Sequence, residues 1–222
     1  LRTPFGRHAG SLAKVRPDDL AAHVIKALVA KHNLPADIFD DVILGNTNQA
    51  GEDSRNVARF AALLAGMPVT VPGQTVNRLC ASGLGAVIDS ARAITCGEGE
   101  LYIAGGVESM SRAPFVMGKS ETAYGRSQKI EDTTMGWRFI NPKLKEMYGV
   151  ETMPQTAENV AEQFGINRAD QDKFALTSQQ RTAAAQAKGF FDKEIIPVVI
   201  PQRKGNPVVV DKDEHPRAST TA

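Results

Sequence analysis

The amino-acid sequence predicts an α/β fold, because segments with strand and helix periodicity alternate along the first half of the chain. Of its 222 residues, 42% are hydrophobic and 23% are charged, which is usual for globular α/β proteins. The predicted elements, in order, are a helix, a strand, a helix, a strand, a helix and a buried strand, at 17–31, 41–44, 55–65, 69–76, 80–96 and 101–107. This alternation implies a parallel or mixed sheet covered by helices on both faces.

The first elements have recognisable boundaries. Pro17 suits the first turn of a helix that runs to Lys31. Its apolar face is formed by residues at helical spacing, Leu20, Val24, Ala27 and Leu28. The strand at 41–44 ends at a Gly-Asn pair, and the second helix is stopped by Gly66 and Pro68.

Residues 77–83, Asn-Arg-Leu-Cys-Ala-Ser-Gly, place a thiol between a predicted strand and a predicted helix. The unpaired N–H groups and positive dipole end of a helix N-terminus favour a thiolate and can bind an oxyanion. Gly83 and Gly85 leave a bare helix face for close packing. Buried cysteines that only fill space are common, so local chemistry alone leaves Cys80 open between a nucleophile and a packing residue.

Composition argues against several classes of partner. The 26 basic and 25 acidic side chains nearly cancel, which gives no electrostatic case for nucleic acid or a membrane surface. No apolar run approaches the roughly 20 residues of a membrane span, and no signal peptide opens the chain. Two cysteines make no disulfide framework, and Cys96 fits a helix end before Gly97. We therefore expect a cytoplasmic protein without a metal site or a permanently bound cofactor.

After Ser111 the pattern changes. Residues 112–155 contain several prolines and glycines with little periodicity, which is typical of a long ordered excursion. Periodicity then returns in two helical segments and a strand-like one, 156–164, 168–188 and 195–200. The sequence therefore predicts two domains, 1–111 and 112–222.

Four motifs together resemble the thiolases, the enzymes that cleave or make 3-ketoacyl-CoA. Residues 77–83 match the thiolase nucleophile motif. Three further stretches agree in the order and spacing of the family, Gly-Asn-Thr at 45–47, Ala-Gly-Gly-Val-Glu-Ser-Met-Ser at 104–111 and Thr-Ala-Glu-Asn-Val-Ala at 156–161. The resemblance implies the layered thiolase fold, with 1–111 as part of the N-terminal domain. It also implies that 112–222 belongs to the loop domain that covers the active site and holds coenzyme A.

The resemblance implies a two-step reaction. Cys80 attacks the 3-keto carbon, acetyl-CoA leaves, and the acyl group stays on Cys80 as a thioester until CoA removes it. Thiolases carry a second, similar half with a Gly-His-Pro motif for the base and a Cys-x-Gly motif for the proton donor, and neither motif occurs in this sequence. We therefore expect residues 1–222 alone to be an incomplete catalyst that lacks sheet strands and does not turn over substrate.

The resemblance also assigns binding residues. Arg217 aligns with a residue that contacts the nucleotide end of CoA, a role that suits a guanidinium. Gln179 and Leu144 align with residues along the CoA channel, and Met153 aligns with a residue beside the reacting acyl group. A homodimer or homotetramer is expected, with the helix after Cys80 and the strand at 69–76 in the dimer contact.

Three stretches of the sequence resemble thiolases that cleave 3-oxoadipyl-CoA in bacterial aromatic catabolism. The stretches that carry this likeness are 49–56, 134–142 and 151–156. Biosynthetic acetoacetyl-CoA thiolases have His-Met-Gly where this chain has Thr-Met-Pro, at 152–154. A substrate ending in a carboxylate needs a basic group in the acyl pocket, and spacing does not choose between Arg138 and Lys143.

Other functions stay open at this point. An acetoacetyl-CoA or fatty-acid 3-ketoacyl-CoA thiolase is the nearest alternative. A decarboxylating condensing enzyme also places a cysteine at a helix start on this fold, although Cys80 lies in a thiolase context. A non-catalytic acyl-CoA-binding relative would lack the nucleophile. Sequence after Ala222 would discriminate these classes, since Gly-His-Pro followed by Cys-x-Gly indicates a thiolase and two histidines indicate a condensing enzyme.

Overall fold

A computed structural model describes residues 1–221, which form two compact units. The first unit contains Leu1–Ala113 and Glu194–Glu214, and the second contains Pro114–Lys193 and the residues from His215 onward. The division at Ala113 lies near the predicted boundary, but residues 194–214 belong to the first unit. The roles assigned to domains 1–111 and 112–222 stay predictions.

The centre of the first unit is a three-stranded parallel sheet. Its strands are β1 (Asp41–Gly45), β2 (Gly73–Val76) and β3 (Tyr102–Gly106), in the order β2-β1-β3. Gly45, the last residue of β1, lies opposite Val76 in β2 and Gly106 in β3. The carboxyl ends of all three strands therefore meet at one edge of the sheet.

Helices cover both faces of this sheet, as the sequence predicted. They are α1 (Pro17–Lys31), α2 (Val57–Leu64) and α3 (Ser82–Cys96). Val42, Leu44 and Ile103 form a core cluster with α1 and α2. Ile43 points to the opposite face, where α3 packs against β1 and β3, because successive strand side chains alternate. The predicted α/β architecture is confirmed.

The boundaries of α1 and α3 are informative. The predicted helix at 17–31 is confirmed at both ends. The helix expected to start at Cys80 starts instead at Ser82, because Leu79 has a left-handed φ of 51° and Ala81 is the N-cap residue. Gly97 ends α3 with φ 75°, a conformation that glycine adopts without steric cost.

The second unit contains elements that the sequence analysis missed. An antiparallel pair, β4 (Phe115–Met117) and β5 (Ile130–Asp132), precedes α4 (Pro142–Tyr148). Two longer helices follow, α5 (Met153–Gln163) and α6 (Arg168–Ala187), close to the predicted spans. Helix α5 starts three residues earlier than predicted, because Pro154 is tolerated in the first turn of a helix.

The chain then contributes a second antiparallel pair to the first unit. Strand β6 (Val198–Ile200) lies within the strand-like segment predicted at 195–200, and its partner β7 (Val208–Val210) was not expected. Val198 and Val210 pack with Leu12 and Leu20 in a small core cluster of their own. Residues 194–214 are thereby anchored to the N-terminal part of the chain.

One segment is long and apolar enough to cross a membrane, judged by length and composition alone. The sequence analysis did not predict it. It is Leu79–Cys96, with a mean hydropathy of 1.2, and a single such window is weak evidence. Its helical part, α3, has 15 residues, or about 22 Å at 1.5 Å per residue, against about 30 Å of hydrocarbon. Asp89 and Arg92 also lie within it.

A partly buried ion pair fixes the start of the chain. The Arg2 guanidinium donates to both carboxylate oxygens of Asp213 at 2.7 and 2.9 Å, and its Nε donates to Glu194 at 2.7 Å. The Phe5 N–H also donates to Asp213, at 2.8 Å. The hydrogen bond from Arg2, helped by that from Phe5, lowers the pKa of Asp213 below its usual value.

We expect Asp213→Asn in the full-length protein to lower the free energy of unfolding by about 1–3 kcal/mol at pH 7, since hydrogen bonds to charged groups have this magnitude. Because the folded pKa is lowered, this stability is present above the ordinary carboxylate pKa and is lost as pH falls through the folded value. The difference between wild type and variant should therefore shrink below about pH 4. Urea unfolding at several pH values measures it.

Asp211→Asn is the matched control, because Asp211 is exposed and lies two residues away. It should leave stability near that of wild type. Equal unfolding curves for Asp213→Asn and wild type at pH 7 would contradict the proposed contribution.

Candidate active site

Cys80 lies on an exposed turn between β2 and α3, here called the Cys80 turn, residues 77–82. The thiol is accessible, and it precedes the first residue of α3 by two positions. Among the described residues, the Cys80 N–H donates no hydrogen bond. A thiol and a free N–H on one residue can serve as nucleophile and oxyanion donor, respectively.

The carbonyl oxygen of Leu79 is the centre of the hydrogen bonds in the Cys80 turn. It accepts from the Ser82 N–H at 3.0 Å and from the Ser82 hydroxyl at 2.6 Å. The Leu79 N–H donates to the side-chain oxygen of Asn77 at 2.9 Å. These bonds hold Leu79 in its left-handed conformation.

The loop after β1 forms hydrogen bonds with the Cys80 turn. The Thr47 hydroxyl donates to the Leu79 carbonyl at 3.3 Å, and the Asn77 side-chain amide donates to the Thr47 carbonyl at 3.2 Å. Glu108, which follows β3, accepts from the N–H groups of Thr47 and Asn48 at 2.8 and 3.1 Å. The three strand ends therefore converge on Cys80, as expected for a site at the carboxyl edge of a parallel sheet.

Asn46 connects the same strand ends through hydrogen bonds within the first unit. Its backbone N–H donates to Val76 O at 3.1 Å, and its side-chain amide donates to Val107 O at 2.8 Å. Its Oδ1 is buried without a hydrogen-bond partner among the described residues. The sequence analysis used 45–47 and 104–111 only as family motifs. Both motifs come directly after predicted strands. That position was the signal in the sequence that could have shown that they support the site.

Gly45 determines how closely α3 approaches the sheet. A Cβ built on Gly45 would lie 2.4 Å from the Gly83 nitrogen and 2.4 Å from the Ser82 carbonyl carbon. Both contacts are to backbone atoms, so no side-chain rotation can relieve them. Only glycine at this position allows the first turn of α3, and with it Cys80, to lie against the end of β1.

The residues predicted to bind CoA lie in the second unit, and the structure brings two of them together. Gln179, in α6, accepts from the Arg217 N–H through its side-chain oxygen at 2.7 Å. Leu144 lies in α4, and Met153 is the first residue of α5, with 72% of its surface exposed. Their part in binding CoA stays a prediction.

Arg138 and Lys143, the two candidate partners of a substrate carboxylate, have different surroundings in the second unit. The Trp137 indole donates to the Glu151 carbonyl at 3.1 Å, which holds the segment at 137–138 beside the residues preceding α5. Arg138 is half-buried, and no carboxylate among the described residues pairs with it. Lys143 is exposed at the start of α4.

Cys96 lies at the other end of α3, 14 residues from Ser82 along the helix. It lines a cavity of about 280 Å³ with the N-terminal ends of β1 and β3, where burial raises the pKa of Asp41. Among residues 1–221, no group of three or more His, Cys, Asp or Glu side chains is arranged to hold a metal ion.

Comparison with known proteins matches the whole chain, residues 1–222, to the family described as thiolase, N-terminal domain. The chain is 72% identical over its whole length to a beta-ketoadipyl-CoA thiolase of Acinetobacter baylyi, covering 55% of that protein. It is 57% identical over 222 residues to a 3-oxoadipyl-CoA/3-oxo-5,6-dehydrosuberyl-CoA thiolase of Escherichia coli, again covering 55% of it. The chain thus spans about half the length of the curated relatives it matches.

A solved structure gives the same result for the fold. The crystal structure of the Bacillus anthracis acetyl-CoA acetyltransferase matches with a TM-score of 0.87 and 37% sequence identity. The match covers 100% of this chain and 54% of that protein. The layered α/β fold expected from the motifs is therefore confirmed over the part that this chain represents.

We expect Gly45→Ala in the full-length protein to displace the first turn of α3. Overpacking of this kind costs about 1–3 kcal/mol of stability, and the moved turn should slow alkylation of Cys80 by iodoacetamide. Unfolding curves and peptide mass spectrometry measure the two effects.

Gly105→Ala serves as the control, because a Cβ there meets only Leu44 Cδ2, at 3.6 Å. It lies in the same sheet and should change both quantities little. An alkylation rate for Gly45→Ala equal to that of Gly105→Ala would show that the close contact does not position Cys80.

Proposed function

This chain belongs to the thiolase N-terminal domain family, and we propose that the full-length protein cleaves a 3-ketoacyl-CoA with CoA through an acyl group carried on Cys80. The observation that carries this proposal is the geometry of the Cys80 turn. An accessible thiol and an N–H of the same residue that has no acceptor among the described residues lie at the carboxyl edge of the sheet, directly before α3.

In the first half-reaction, the Cys80 thiolate adds to the C3 carbonyl carbon of the substrate. The C2–C3 bond then breaks, its electron pair stays on C2, and a proton delivered to C2 completes acetyl-CoA. In the second half-reaction, CoA loses its thiol proton to a base, and its sulfur attacks the thioester. The Cys80 N–H stabilises the tetrahedral oxyanion of that step, and collapse returns the Cys80 thiolate. The proton donor and base are assigned to the remainder of the full-length protein.

The proposed substrate is 3-oxoadipyl-CoA. Several curated relatives that match over the whole chain, at 57–72% identity, are named for this substrate or its synonym. An acetyl-CoA acetyltransferase of Allochromatium vinosum is 42% identical, so the acetoacetyl-CoA alternative has weaker support. Arg138 is the proposed partner of the substrate carboxylate, since it is half-buried and has no acidic partner among the described residues. An unpaired, partly desolvated guanidinium suits a carboxylate ligand.

Coenzyme A is proposed to enter as a substrate along the second unit. The contact between Gln179 and the Arg217 backbone supports a shared role, because it holds the residue whose guanidinium is proposed to meet the nucleotide phosphates. Leu144 and Met153 offer exposed apolar surface for the pantetheine and the acyl group. No permanently bound cofactor is part of the proposal.

The exposed face of α3 supports a homodimer or homotetramer. It carries apolar side chains that the described residues leave largely uncovered, Leu84, Val87, Ile88 and Ile94. Contiguous apolar surface of this kind is typical of protein–protein contacts. Strand β2 is an edge strand of the same unit, a position at which a strand can pair with a partner chain. A cytoplasmic location stays a prediction.

In the full-length protein, incubation with 3-oxoadipyl-CoA should add the mass of the four-carbon acyl group to the peptide containing Cys80. Cys80→Ser should abolish this adduct and lower kcat/KM by about 10³-fold or more, because a hydroxyl without a matched base is a poor nucleophile. Mass spectrometry of quenched protein and a thiolysis assay measure both. Cys96→Ser is the matched control and should retain adduct and rate, since Cys96 lies at the far end of α3. Acylation that persists in Cys80→Ser would refute the assignment.

Arg138→Gln should lower kcat/KM for 3-oxoadipyl-CoA by about 10- to 100-fold, the equivalent of one hydrogen-bonded charge pair. The rate with acetoacetyl-CoA, which lacks the terminal carboxylate, should stay within about 2-fold of wild type. Lys143→Gln is the control and should leave both rates unchanged. If Lys143→Gln lowers the rate selectively for 3-oxoadipyl-CoA and Arg138→Gln does not, Lys143 rather than Arg138 binds the substrate carboxylate.

A further inference from the structure

Ser82 is a buried polar residue beside an exposed nucleophile. Its relative exposure is 5%, whereas Cys80 and Leu79 on the same turn are exposed. The Ser82 hydroxyl is fully engaged with the backbone of the turn. It accepts from the Arg78 N–H at 2.8 Å and donates to the Leu79 carbonyl at 2.6 Å.

These bonds do not serve the usual purpose of a serine at a helix start. An N-cap hydroxyl accepts from an N–H two or three residues further along the helix. Here the N-cap residue is Ala81, no side chain caps the helix, and the Ser82 hydroxyl bonds backward to 78 and 79. Ser90 of the same helix, by contrast, makes only the ordinary bond to the carbonyl four residues earlier, Ala86, at 2.9 Å.

The Leu79 carbonyl shares a peptide unit with the Cys80 N–H. Because a trans peptide is planar, with its C=O and N–H pointing in opposite directions, the direction of one fixes the direction of the other. The Leu79 oxygen accepts three hydrogen bonds, and the Ser82 hydroxyl makes the shortest of them. Hydrogen bonds to a carbonyl oxygen also polarise the peptide and strengthen its N–H as a donor.

We infer that Ser82 is a positioning residue for catalysis, whose hydroxyl fixes the peptide between Leu79 and Cys80 so that the Cys80 N–H is aimed at the oxyanion. The inference rests on the proposed function. It explains why Leu79 keeps a left-handed conformation, which is sterically unfavourable for a residue with a Cβ. That conformation turns the peptide so that its carbonyl meets Ser82 and Thr47, while its N–H has no acceptor within residues 1–221.

The test compares Ser82→Ala with Ser90→Ala in the full-length protein. Both variants remove a buried hydroxyl from α3, and only the first hydroxyl contacts the Leu79 carbonyl. Ser82→Ala should lower kcat by about 10- to 100-fold, as a misplaced catalytic group does, while KM for CoA stays within about 2-fold. Ser90→Ala should retain the wild-type kcat, and thermal unfolding should shift by a similar amount in the two variants.

An infrared measurement separates positioning from a purely structural effect. The acyl group on Cys80 is labelled with ¹³C at its carbonyl, and the carbonyl band reports the hydrogen bond that it accepts. Ser82→Ala should move this band to higher wavenumber, and Ser90→Ala should not. Thr47→Val removes a longer bond to the same carbonyl oxygen and should move the band in the same direction by less, which keeps the test valid if Ser82→Ala fails to fold.

The outcomes distinguish the inference from the proposed function. A wild-type protein that forms no acyl-Cys80 would overturn the proposed function and the inference with it. An acylated wild type, together with Ser82→Ala and Thr47→Val variants that share its kcat and its carbonyl band, would overturn the inference alone. A lower kcat with an unshifted band would assign Ser82 a structural role and also overturn the inference.

Discussion

The close contact between Gly45 and the first turn of α3 is the constraint on which the site depends. The backbone of α3 at 82–83 lies where any side chain on residue 45 would have to be. This contact places the start of α3 against the end of the central strand, and the Cys80 turn is then within reach of the loop that follows β1, which is itself held by Glu108 after β3. A helix packed further out would leave Cys80 exposed but without Thr47 to support its turn.

Local sequence patterns predicted much of the secondary structure of the first unit, but only part of its candidate site. Helix α1 was predicted at both ends because Pro17 and its apolar face are local signals. Helix α3 was placed two residues too early, because the left-handed φ of Leu79 is imposed by hydrogen bonds from Ser82 and Thr47 rather than by its residue type. Cys80 was recognisable from its motif. The roles of Glu108 and Thr47 depend on contacts between distant segments, which periodicity does not reveal.

Some elements of the second unit, β4, β5 and α4, were not predicted. Strands β4 and β5 have three residues each, too short for a recognisable alternation. Helices α4, α5 and α6 contain no buried residues, so packing within the unit contributes little to the pattern of their sequences. They depend instead on local interactions, such as the Asn167 side chain that accepts from the Asp170 N–H at 2.9 Å at the start of α6. Such caps are worth about 1 kcal/mol each.

The sizes of the energies involved determine which catalytic roles the residues around Cys80 can take. A helix N-terminus stabilises a nearby negative charge by about 0.3–2 kcal/mol, whereas general acid–base catalysis contributes about 10²–10⁴-fold, or roughly 3–5 kcal/mol. The partners that hold the Cys80 turn in the first unit are hydroxyl, amide and backbone groups of Ser82, Thr47 and Asn77, and none of them is a base near neutral pH. Under the proposed function, these residues supply the nucleophile and aim one oxyanion donor. Proton transfer then has to be supplied by groups outside this hydrogen-bonded turn, and the turn must stay fixed while they act.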